Sequence, residues 1–232
     1  MRVLGIIPAR GGSKGVSGKN RMLIDEKPLL QYSIESAFAS KSITKLVVST
    51  DDIEIAKIAE NVGATVIKRD AQLASDASNV LDTVHSIVAH FEAKEEFFDA
   101  IILLQPTAPL RSAGDIDASI EILQNDNCDG VISVIPVGDH HPARMYLVND
   151  KGMEALHPEL ETTRRQDLPL RYIRNGCIYL IKTKILKIEN TLMPINKVAY
   201  IMDAKWAANI DTQQDVVLLK YLMPLWKQEQ QK

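Results

Sequence analysis

Short apolar runs alternating with stretches of helical periodicity constrain this chain more than any other feature. "VLGIIP" (Val3–Pro8), "KLVVST" (Lys45–Thr50), "ATVI" (Ala64–Ile67), "AIILLQ" (Ala100–Gln105) and "GVISVIPV" (Gly130–Val137) are brief and rich in β-branched residues, which reads as strands. "AIILLQ" has no polar–apolar alternation, as a central parallel strand covered on both faces requires, and "GVISVIPV" again reads as central. Between the runs, Leu30, Ile34 and Phe38 recur at helical spacing, as do Ile55, Ile58, Ala59 and Val62, and then Val80, Val84, Ile87 and Val88. Pro28 suits a first helical turn, so a helix is expected over 28–40, and a further one near 113–124. The alternation predicts a three-layer α/β/α sandwich around a mainly parallel, Rossmann-like sheet with right-handed crossovers. Such a sheet places its ligand at the carboxyl ends of the strands.

The rhythm stops between Val137 and Arg171, where periodicity is weak and charges are dense. The stretch is too long for a bare loop in a compact domain. It is expected to be a small inserted subdomain or oligomerisation arm, 137–171, within an α/β domain formed by 1–136 and 172–232. "NGCIYLIK" and "KVAYIMD" then restore strands, and a helix is expected from Thr212 to about Lys227, followed by a frayed polar tail.

With 232 residues and 46% hydrophobic content the chain can bury a substantial core. No apolar run approaches the roughly 20 residues of a membrane span, and the first residues lack a secretory core, so a cytoplasmic protein with no membrane partner is expected. Cys128 and Cys177 stand far apart without metal-binding spacing and read as inert. The net charge of −3 argues against nonspecific nucleic-acid binding, yet residues 1–24 hold Arg2, Arg10, Lys14, Lys19 and Arg21 and no acid, leaving −8 on the remainder. An acidic protein with an all-basic opening segment is suited to hold an anion there.

That segment contains "PARGGSKGVSGKN" (Pro8–Asn20). It is not a Walker A loop, because Ser13 stands where the first glycine belongs and Asn20 where the magnesium-binding hydroxyl belongs. Gly11, Gly12, Gly15 and Gly18 also miss the dinucleotide spacing. Adjacent glycines after a strand still let backbone amides approach an anion, with Arg10, Lys14 and Lys19 supplying charge. The alternative is a glycine-rich turn with solvated cations. His140 and His141 are adjacent, point apart and lack a third ligand nearby, so they read as structural.

The loop resembles the signature of the CMP-sugar acid synthetases, specifically the acylneuraminate cytidylyltransferases. "KRDAQLASD" (68–76), "LLQPTAPLR" (103–111), "HHPAR" (140–144), "RRQDLP" (164–169), "RNGCIYL" (174–180) and "NIDTQQD" (209–215) are similar to that family's other blocks, in the same order along nearly the whole chain.

The resemblance implies an enzyme joining CTP to a nonulosonic, sialic-type acid, releasing pyrophosphate and leaving a CMP-sugar for cell-surface glycan biosynthesis. It implies Mg2+, or Mn2+, and a homodimer. By the resemblance Arg10, Lys14, Gln105 and Asp211 carry catalysis, and Arg10, Ser13, Lys14, Lys19, Asn20 and Arg69 bind the nucleotide. Gln105, Arg144, Arg165, Gln166 and Asn175 meet the sugar, with the arginines often reaching the neighbouring subunit. Asp211 and Asn209 hold the metal. Family members commonly carry aspartate where Asn209 stands; an amide oxygen still ligates magnesium but supplies no charge. A catalytically weakened, nucleotide-binding regulatory homologue is therefore an alternative, as is a synthetase for legionaminate or pseudaminate rather than N-acetylneuraminate. Asp215 is expected to stabilise the start of the last helix, and Arg111 to pair with an acid of the scaffold.

Overall fold

The computed structural model describes residues 1–12, 15–70 and 79–231. Ser13, Lys14 and much of the "KRDAQLASD" block lie outside the described residues.

Among the described residues the central sheet has seven strands. β1 (Val3–Pro8) lies parallel between β4 (Lys45–Thr50) and β6 (Ala100–Leu103), and β5 (Thr65–Lys68) flanks β4 in parallel. β7 (Gly130–Pro136) and β11 (Lys197–Ile201) pair in parallel at the opposite edge. β10 (Tyr172–Lys182) runs antiparallel between β6 and β7 and joins the two groups. "AIILLQ" is thus central, as its apolar run demands, but only one of its neighbours is parallel.

Alternate residues of each strand feed two cores, which explains the unbroken apolar runs. Val3 and Ile7 of β1 pack with α1 (Leu29–Ala39), α2 (Ile53–Asn61) and α4 (Ala113–Asn125) on one face. Leu4 and Ile6 pack with α3 (Val80–Glu92) and α5 (Thr183–Glu189) on the other. The result is the expected α/β/α sandwich. α6 (Gln213–Gln230) closes a third cluster through Val216, Leu219 and Met223. No helix among the described residues is long and apolar enough to cross a membrane.

Local differences have physical causes. Pro28 does not enter the helix: it caps α1 in an extended conformation after pairing, in β3 (Lys27–Pro28), with β2 (Leu23–Ile24). The hairpin between them turns at Asp25 and Glu26, both with positive φ. In 137–171, β8 (Tyr146–Asn149) and β9 (Gly152–Ala155) form a separate two-stranded sheet among short 3-10 turns. Its strands lack periodicity because both faces are exposed: Leu147 on one side and Val148 on the other are 58% and 78% accessible.

Candidate active site

The parallel strands end together, and their following residues line a cavity of about 480 Å³. β1 delivers Arg10 and the glycine loop, β5 delivers Arg69, β6 delivers Gln105, and the segment before α6 delivers Asn209 and Asp211. The loop is held from two sides. Gly11 donates its N–H to Asp51 Oδ1 at 3.0 Å, and a Cβ there would lie 2.7 Å from the Asp52 carboxylate. A Cβ on Gly15 would collide with the Asp211 carbonyl, so only glycine permits this approach.

Lys19 is drawn inward after Gly18, whose φ of +64° starts a short turn. Its Nζ donates to the Ile210 carbonyl at 2.6 Å and to Asp211 Oδ1 at 3.1 Å. Asn20 is buried; its Nδ2 donates to the Arg10 carbonyl at 3.0 Å, and its Oδ1 has no partner among the described residues. Arg69 is buried too, donating from Nε and Nη2 to the hydroxyl and carbonyl of Ser49. Burial lowers the Arg69 pKa, Asp51 raises it, and the charge of Arg10 lowers it further.

Asp211 is exposed, and Asn209 donates to its Oδ2 at 3.2 Å. Asp215 completes a capping box with Thr212 at the start of α6, as expected, and also accepts the Asp211 N–H at 3.0 Å. That last bond is the largest cause holding the Asp215 carboxyl below its usual range. No cluster of three histidine, cysteine or acidic side chains that could hold a metal exists among the described residues. One carboxylate, an amide oxygen and substrate phosphates do meet the oxygen-donor requirement of magnesium.

Arg10, Lys19, Asn20, Arg69, Gln105, Asn209 and Asp211 therefore converge on one cavity. The other sugar candidates lie elsewhere. Arg144 and Arg165 line a separate cavity of about 190 Å³. Arg165 pairs there with Asp139 at 2.8 Å while its side chain is 70% exposed, and Gln166 is exposed and lines neither cavity. Asn175 is turned into the scaffold, accepting from Ser133 Oγ at 2.6 Å and donating to Met202 Sδ at 3.1 Å. His141 is buried as a scaffold residue: Nδ1 accepts the Ala143 N–H, and Nε2 donates to the Pro169 carbonyl. Both cysteines are free and buried.

The sequence did not single out Thr83 and Thr107, which line the main cavity; Thr83 Oγ1 is buried without a partner among the described residues. Nor did it single out a third cavity of about 270 Å³ that shares Val80 and Gln105 with the first and adds Arg174, Tyr179, Leu192 and Met193. Arg174 and Tyr179 belong to "RNGCIYL" (174–180), which is the signal that the sequence offers for this cavity.

A cation-rich cavity at the carboxyl edge of a mainly parallel sheet, entered by a glycine loop, defines a nucleotidyltransferase type of site. The family profile described as Cytidylyltransferase matches residues 4–222, and the chain belongs to that family. It is 35% identical over 233 residues to the CMP-N,N'-diacetyllegionaminic acid synthase of Legionella pneumophila, covering 97% of each chain. It is 30% identical to the N-acylneuraminate cytidylyltransferase of Streptococcus agalactiae serotype III, covering 94% of this chain and 52% of that protein. The fold matches a CMP:2-keto-3-deoxy-manno-octonic acid synthetase solved with CTP, at a TM-score of 0.74 and 18% identity over 97% of this chain and 99% of that one.

Proposed function

We propose that this cytidylyltransferase joins CTP to a nonulosonic acid, with the anomeric hydroxyl attacking the α-phosphorus and pyrophosphate leaving in line. The observation that carries the reading is a pair of neighbouring cavities whose walls share Val80 and Gln105. One side is cationic and suited to a triphosphate; the other offers Arg174 and Tyr179 beside the apolar Leu192 and Met193, suited to an acylated acidic sugar.

Such a transfer rests on positioning and charge neutralisation. Arg10 and Lys19, with Ser13 and Lys14 by resemblance, offset the triphosphate charge. Asn20 and Arg69 face the base. Gln105, at the junction, orients the attacking hydroxyl. Asp211 and the Asn209 amide oxygen would hold Mg2+, which supplies charge neutralisation to the triphosphate. The 137–171 hairpin, apolar on both exposed faces, packs on a second copy and carries Arg144 and Arg165 toward the neighbouring site.

Incubating the protein with CTP, Mg2+ and, separately, N-acetylneuraminate, N,N'-diacetyllegionaminate and pseudaminate should release pyrophosphate with at least one acid. CTP binding without release from any of them would overturn the synthetase reading in favour of a regulatory nucleotide-binding homologue. Asn209→Asp should tighten Mg2+ binding several-fold, measured by titrating turnover with the metal.

A further inference from the structure

Arg111, at the end of the loop after β6, is fully buried. No acid forms an ion pair with it among the described residues, in place of the scaffold partner expected. Asp115 is near enough to favour its charge, but Asp115 Oδ2 accepts from the N–H and hydroxyl of Ser112, and Oδ1 accepts from Tyr200. Burial lowers the Arg111 pKa to about 10, so the side chain stays charged at neutral pH. Its Nε and Nη2 have no hydrogen-bond partner among the described residues. An apolar residue would fill this space without desolvating a cation.

What the guanidinium supplies instead is convergence. Nη1 donates to the carbonyls of Cys177 at 2.9 Å, Ala108 at 3.1 Å and Gln105 at 3.3 Å. The first belongs to β10 and the others to the loop bearing Gln105 and Thr107. With those carbonyls directed at one buried nitrogen, the peptide planes of the loop are fixed. The constraint continues outward, because the Thr107 carbonyl accepts the N–H of Ile210, which stands between Asn209 and Asp211. Beside it, Gly176 adopts φ +79° in the β10 bulge, and a Cβ there would sit 3.2 Å from Gln105 Oε1.

We infer that Arg111 is a positioning residue that fixes Gln105 and the Asn209–Asp211 segment relative to each other through the loop between them. It touches neither substrate, and its effect on turnover rests on the function proposed above. Arg111→Met removes the charge and the donors, whereas Arg111→Lys keeps the charge on a nitrogen one bond short of Nη1.

The test compares both variants with the wild type below their melting temperatures. For Arg111→Met the expected result is a kcat at least tenfold lower, a CTP dissociation constant within twofold of wild type, and amide exchange at Ala108 and Ile210 at least tenfold faster. Arg111→Lys should recover part of each loss. A folded Arg111→Met protein with wild-type exchange at both amides, or with unchanged kcat, would overturn the inference. So would loss of the fold in both variants, which would assign Arg111 to the core alone. If the wild type released no pyrophosphate with any acid, the functional reading would fail while amide exchange still decided the role of Arg111.

Discussion

The loops around the main cavity and the 137–171 arm use the same residue types to opposite ends. Around the cavity, Asn20 and Arg69 are buried and anchored to backbone carbonyls of neighbouring segments. In the arm, Arg144 and Arg165 are exposed, and the apolar side chains of the hairpin face solvent. A buried polar group with fixed partners is preorganised, whereas an exposed arginine loses side-chain entropy when it binds. The cavity residues are therefore fixed by their own chain, whereas the arm carries its arginines and apolar side chains on its surface, where the proposed second copy would order them.

The strongest way to break this contrast is Arg10→Ala, which should lower pyrophosphate release by ~100-fold or more, the scale of losing one preorganised electrostatic contact, while the melting temperature stays unchanged. A wild-type rate would remove Arg10 from the site. Next comes subunit mixing. If the arm serves its neighbour, then at acceptor concentrations well below KM, where Arg165→Ala is itself slow, a mixture of Arg10→Ala and Arg165→Ala chains should regain about a quarter of wild-type activity, since half the dimers are mixed and each holds one intact site. No recovery would place Arg165 in its own chain's site.

Arg165→Ala alone should raise the acceptor KM by ~10-fold, consistent with about 1.5 kcal/mol for a hydrogen bond to a charged group, and leave the CTP KM unchanged. An effect confined to CTP would contradict the sugar role. Val148→Glu, on the exposed hairpin, should shift sedimentation from dimer to monomer; an unchanged dimer would locate the interface elsewhere.

The smallest effect concerns Asp215. Its folded-state pKa is depressed, so the stability it adds is present above the ordinary aspartate range and is lost as pH falls through the lowered value. Asp215→Asn should flatten the acid limb of the melting temperature plotted against pH, and an unaltered limb would leave the capping box without a role in acid sensitivity.

Much of this architecture was legible because burial on both faces writes itself into a strand. β1 and β4 were recognised with their observed ends since their side chains have nowhere polar to point. Strand direction was not legible: the apolar stretch of β10 from Cys177 to Ile181 reads like the strands beside it, and nothing local records that it runs antiparallel to both. α5 was missed because a short helix gives too little periodicity, and the arm hairpin because exposed strands need no alternation. At the site, loop residues were readable from their chemistry. Thr83 and Tyr179 sit on a helix and a strand, where a sequence shows scaffold, and only the fold turns them to cavities.

The bond from Lys19 to the Ile210 carbonyl spans 191 residues. During synthesis, most of the chain must therefore be made before the cavity can close. A nascent chain released short of Asp211 would carry the glycine loop without the segment against which Gly15 packs. The wall of the cavity that joins Lys19 to Ile210 is thus among the last parts that a growing chain can assemble.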